Sequence, residues 1–160
     1  ITLTWDQEIT SFLQSCQREK VKMILVGGGA VNFHGYQRHS TDLDFWIEID
    51  PENLSALNKA LRNLGFPLDE FPSSVGEGEQ NISLKFSPDN PLQIELITSF
   101  SLKKSFSEVW EKAEIGEING EPIVRYRILP YEDLIDSKII AGRPKGLLDI
   151  QELQKRKSPE

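Results

Sequence analysis

The run VGGGAVNFHGYQRHSTDLDFWI, Val26 to Ile47, constrains the fold more than any other part of the chain. It begins where a compact β-prone segment, VKMILV, ends abruptly on Gly27, Gly28 and Gly29. The apolar AVNFHG that follows reads as a short helix closed by Gly35. DLDFWIEI then alternates, with Leu43, Phe45, Ile47 and Ile49 on one face and Asp42, Asp44, Trp46 and Glu48 on the other. A unit of strand, glycine turn, helix and amphipathic strand needs a sheet with one face covered and the other carrying polar groups.

Elements that can build such a sheet follow along the chain. TWDQEITSFLQSCQRE spaces Trp5, Ile9, Phe12, Leu13 and Cys16 as one helical stripe behind Thr4 as N-cap. DPENLSALNKALRNLGF has Asp50 as N-cap, Pro51 in the first helical position, a stripe of Leu54, Leu57, Leu61 and Leu64, and Gly65 as stop. DEFPSSVGEGEQ, residues 69–80, has no periodicity and reads as a mobile surface loop. NISLKFS and LQIELIT form a hairpin around PDNP; EIGEINGEPIVRY forms a second, whose Asn119 and Gly120 suit a type I′ turn. Between them SFSEVWEKA is helical, and PYEDLIDSKIIAG and PKGLLDIQELQKR close the chain as a helical hairpin broken at Gly142 and Arg143. The order predicts an α+β fold, a mixed β-sheet packed by helices. No G-x-G-x-x-G or G-x-x-x-x-G-K-[ST] occurs, which speaks against a dinucleotide or P-loop domain.

With 160 residues, 38% of them hydrophobic, residues 1–160 suit one domain with its own core. One cysteine, Cys16, cannot make an intramolecular disulfide, and no stretch approaches the roughly 20 apolar residues that span a bilayer. The expectation is a cytoplasmic protein without membrane partners. Asp and Glu number 25 against 18 Lys and Arg, a net charge of −7, which disfavours long contacts along nucleic-acid phosphates.

The chemistry gathers on the polar face of DLDFWIEI. Aspartate is depleted in strands, yet Asp42 and Asp44 lie two apart, about 6 to 7 Å along the backbone, where their carboxylates converge. Paired hard oxygens suit Mg²⁺, which keeps waters and substrate phosphates as its other ligands. The plainer alternative is the solvated side of a half-covered strand. Bare glycine amides at a strand end before a helix favour phosphate chemistry.

A Gly-Gly turn, a spacer and an Asp-x-Asp pair resemble the nucleotidyltransferases of the polymerase-β-like superfamily, here as Gly27, Gly28, Asp42 and Asp44. More narrowly, His34, Gly35, Arg38 and Thr41 are similar to the bacterial subgroup related to abortive-infection and toxin-antitoxin nucleotidyltransferases. That resemblance implies a third carboxylate from a neighbouring strand, and QIELIT puts Glu95 where the family has aspartate. The segment DLIDSKIIAGRPKGLLDIQEL resembles the subgroup's C-terminal motif through Lys138, Arg143, Lys145 and Asp149, with Gly146 where an acid is common.

The resemblance implies a polymerase-β-like fold with a C-terminal helical hairpin. It also implies transfer of a nucleoside monophosphate from an NTP to an acceptor hydroxyl with release of pyrophosphate. Asp42, Asp44 and Glu95 would hold two Mg²⁺ ions, with Glu95 also serving as base, and Gly27, Gly28, Arg38, Thr41 and Lys138 would bind the nucleotide. No intrahelical ion pair occupies Lys138, so it is expected free to meet triphosphate, while Lys145 and Asp149, four apart, are expected to pair on the helix surface. His34 reads as a helix-ending residue and Trp46 as packing beside the site. The acceptor is open: tRNA, a protein hydroxyl or a small molecule. Two other readings stand alongside, a degenerate module acting in a toxin-antitoxin protein pair and a metal-dependent phosphohydrolase.

Overall fold

The computed structural model describes residues 7–36, 42–86 and 93–157. Thr4, Trp5, Arg38, His39, Thr41 and the PDNP turn lie outside them. Helix α1, Gln7–Arg18, buries the expected stripe of Ile9, Phe12, Leu13 and Cys16. Strand β1, Met23–Val26, is buried along its whole length and runs directly into α2, Gly27–Phe33. The three glycines are therefore the first turn of the helix rather than a loop before it, and Gly35, at φ +112°, lies just beyond its end.

Strand β2, Asp42–Ile47, is followed by α3, Pro51–Asn63, whose Asp50 side chain accepts from Asn53 N at 2.7 Å. Asn53 is itself buried, and its amide is fully engaged: it donates to Lys22 O and Glu48 O and accepts from Lys22 N. One satisfied side chain thus ties the start of α3 to the ends of β1 and β2. Helix α1 packs on α3, with Ser15 Oγ donating to Ala60 O.

Residues 69–80 depart from the expected loop. They contain a single helical turn, α4 (Ser73–Gly76), whose Val75 is buried. The segment is tied down through its backbone: Arg62 donates to Leu68 O and Asp69 O, and Ser99 Oγ to Gly78 O. Irregular sequence here means irregular hydrogen bonding rather than the absence of it.

Strands β3 (Ile82–Lys85) and β4 (Gln93–Ile97) pair antiparallel as expected. Helix α5, Phe106–Lys112, opens with a capping box between Ser105 and Glu108. Strands β5 (Glu114–Ile118) and β6 (Val124–Ile128) form the second hairpin, but the pairing of Ile118 with Val124 leaves five residues between them. Neither Asn119 nor Gly120 has positive φ, so the two-residue type I′ turn does not form. Helices α6 (Tyr131–Ala141) and α7 (Pro144–Lys157) meet at Gly142, which adopts φ +65°.

The six strands form one mixed sheet in the order β3-β4-β2-β1-β6-β5. Leu43, Phe45, Ile94 and Leu96 turn to the face covered by α1 and α3, where Phe12 meets Phe45. On the opposite face Trp46 is buried against Phe100 and Phe106, confirming it as a packing residue. Among the described residues no helix is long and apolar enough to cross a membrane.

Candidate active site

The two aspartates sit on β2 between two strands that complete their surroundings. Val26 of β1 lies opposite Asp44 on one side, and Glu95 of β4 is its direct partner in a parallel register on the other. Residues paired across a register share a face, so Asp42, Asp44 and Glu95 project together. The adjacency of LQIELIT and DLDFWIEI on which the third carboxylate depends is thus present.

Asp44 is the innermost of the set. Its carboxyl is held above the ordinary carboxylate value, first by burial and then by the negative charges of Asp42 and Glu95; Lys138 and Arg143 pull the other way. Glu95 is turned partly toward its neighbour, accepting from Ser83 Oγ at 2.6 Å. Among the described residues no three acids, histidines or cysteines are gathered closely enough to hold an ion. Asp42 and Asp44 fit one face of a hard-cation site, and Glu95 beside them keeps one of its two carboxylate oxygens on Ser83.

Gly27 explains why the chain carries glycine at this point. Its φ is +61°, and a Cβ there would come 2.6 Å from Asp44 Oδ2. The backbone of the first turn of α2 thereby approaches the carboxylate directly, and no side chain caps that turn. Gly28 lines the same cleft, a hollow of about 520 Å³.

The far wall of the cleft is basic and comes from the helical hairpin: Lys138 on α6, Arg143 in the break and Lys145 on α7. Lys138 is not free. It pairs with Asp149 of α7 at 3.2 Å, with side chains only 15% and 3% exposed, so the pair sits inside the hairpin. Asp149 therefore joins Lys138 across the two helices. Gly146 lies beside Lys138, where an added Cβ would meet the lysine Cβ at 3.6 Å, an ordinary contact.

His34 is settled structurally: it caps α2, its Nε2 lies 2.8 Å from Leu129 O, and its ring meets Phe33 and Tyr131 edge-on. Arg38 and Thr41, the remaining expected nucleotide contacts, lie outside the described residues. Sequence reasoning passed over Asn81, Ser99, Phe100 and Ser101, which line the cleft on the β4 side. The hairpin pairing of NISLKFS with LQIELIT held the signal, because it brings the start of one strand to the end of the other.

A family model described as nucleotidyltransferase of unknown function (DUF6036) matches residues 3–157. Among solved structures, the chain is similar in fold to ANT(2")-Ia in complex with adenylyl-2"-tobramycin. The TM-score is 0.51 at 13% identity, covering 94% of this chain and 88% of that one. No curated protein matches the chain.

Proposed function

The chain belongs to the DUF6036 family of nucleotidyltransferases, and from that premise we propose that it moves a nucleoside monophosphate from an NTP to a hydroxyl acceptor in the cleft above Asp42 and Asp44. The observation that carries the reading is the close approach of Gly27 to Asp44 opposite a wall of Lys138, Arg143 and Lys145. Carboxylates beside bare backbone and facing fixed cations suit a triphosphate that must lose pyrophosphate.

In this mechanism Asp42 and Asp44 would hold Mg²⁺, which would supply Lewis-acid stabilisation of the phosphate charge and of the attacking oxygen. Gly27 and Gly28 present the backbone of the first turn of α2 to the phosphates, with the Asp44 carboxylate beside Gly27. Lys138 and Arg143 offset the charge that grows on the departing pyrophosphate. Asp149 holds the Lys138 ammonium in the cleft wall. Glu95 takes the proton of the acceptor hydroxyl at its carboxylate.

The test is incubation with Mg²⁺, each α-labelled NTP and a cell lysate, followed by separation of RNA, protein and small molecules. Label entering one fraction, with pyrophosphate released, is expected; Asp42→Asn and Asp44→Asn should each abolish it. Inorganic phosphate as the product would instead identify a phosphohydrolase.

A second reading, a module that works through a toxin-antitoxin protein pair, draws on one observation. Ile139, Ile140, Leu147 and Leu148 of the helical hairpin are 46–57% exposed, an unusual run of large aliphatics at the surface. Absence of any thermal shift with the four NTPs and Mg²⁺ would favour it, since a ligand at 100 times its Kd adds about 2.7 kcal/mol.

A further inference from the structure

The cleft has two walls of different chemistry. One is cationic; the other, from β3 and the end of β4, is neutral. We infer that this neutral wall, through Asn81 and Phe100, receives the base of the incoming nucleotide, an inference that rests on the transferase reading.

Asn81 stands just ahead of β3, and the hairpin register brings it against the end of β4. Its Oδ1 accepts from Thr98 N at 3.0 Å and lies 3.3 Å from Thr98 Oγ1. A backbone N–H can only donate, so this contact fixes which end of the amide is oxygen and which is nitrogen. Thr98 is buried, and its hydroxyl also reaches Gln80 O, so the anchor is rigid. The Nδ2 group of Asn81 has no partner among the described residues, and Asn81 lines the cleft. It is a hydrogen-bond donor of fixed orientation.

Phe100 lines the same wall. Its ring rests on buried Trp46, with centroids 5.2 Å apart, so it is backed from behind and partly open in front. An aromatic surface next to an oriented donor suits a nucleobase, which stacks through its π-face and offers a ring nitrogen or carbonyl oxygen at its edge. The sheet order sets this wall on the β4 side of Asp42 and Asp44, while Gly27 and Gly28 lie on the β1 side. An NTP laid across the carboxylates has its phosphates at the cationic end and its base at the neutral one.

The experiment compares binding of inorganic triphosphate with that of ATP, GTP, CTP and UTP by calorimetry in Mg²⁺. For the wild type, at least one NTP is expected to bind about tenfold tighter than inorganic triphosphate. Asn81→Ala and Phe100→Leu should each bring that ratio close to one while inorganic triphosphate binding stays within about twofold, which also shows that the variant is folded. Asn81→Asp, which keeps the oxygen on Thr98 and replaces the donor, should reorder the preference among the four bases. Equal binding of inorganic triphosphate and all NTPs by the wild type overturns the inference and leaves the transferase reading standing. Variants that keep the ratio but raise the KM for an acceptor overturn it too, by giving the wall to the acceptor. Failure of every triphosphate to bind overturns both.

Discussion

Gly27 offers the sharpest test of the site's geometry, because a methyl group added there meets Asp44 first. An alanine at φ +61° bears a backbone cost of about 1–2 kcal/mol. Its Cβ also meets Asp44 Oδ2 at 2.6 Å, where ordinary contact begins at 3.4 Å, so the carboxylate must retreat by about 0.8 Å. Gly65, at φ +95° with nothing within 4 Å of a built Cβ, supplies a control that bears the backbone cost alone. Urea unfolding of wild type, Gly27→Ala, Asp44→Ala and the double variant isolates the contact, with an expected coupling of about 1–2 kcal/mol. A carboxylate displaced by nearly 1 Å should lower nucleotidyl transfer on the order of 10²-fold in Gly27→Ala, while Gly65→Ala leaves it unchanged. Additivity of the two substitutions within about 0.3 kcal/mol would refute the reasoning, because the methyl group would then not be touching Asp44.

Asp44→Asn should raise Tm at pH 7, since the folded chain holds this carboxyl above its ordinary value. Stability tied to a carboxyl raised on folding is full below the unfolded pKa, ordinarily 3.8, and is lost as pH rises through the folded one, so the Asn variant's advantage should vanish in melts taken below that value. Asp149→Ala should cost about 2–3 kcal/mol in chemical denaturation, somewhat less than a fully buried broken pair because Lys138 opens onto the cleft; a loss under 0.5 kcal/mol would place the pair at the surface. Glu95→Gln should slow transfer at least about 10²-fold in single-turnover assays while NTP affinity holds. Ser83→Ala, which frees the Glu95 carboxylate, should keep transfer or increase it; if Ser83→Ala lowers transfer as far as Glu95→Gln does, the hydrogen bond supports the site instead of restraining it.

Much of this protein is written locally. The alternation of DLDFWIEI assigned Asp42 and Asp44 to one face, and the Asp50-Pro51 and Gly65 signals bounded α3, because a side chain's face and a helix's caps depend on residues only two to four positions away. The same locality misled where the decisive partner was distant. Lys138 looked free because its own helix offers no acid, yet Asp149 reaches it from the next helix. Residues 69–80 looked mobile because they lack periodicity, yet Arg62 and Ser99 hold their carbonyls from elsewhere in the chain. Asn119-Gly120 had the composition of a tight turn, but the pairing of β5 with β6 set a wider one. The site itself divides in the same way: the sequence alone determined the aspartate pair and the glycines before it, while the tertiary structure decided that Glu95 lies beside Asp44 and that Asn81 and Phe100 line one cleft with Lys138, Arg143 and Lys145. Periodicity reports which way a side chain points from its own backbone; which neighbour waits there is fixed only when strands far apart in the chain choose their register.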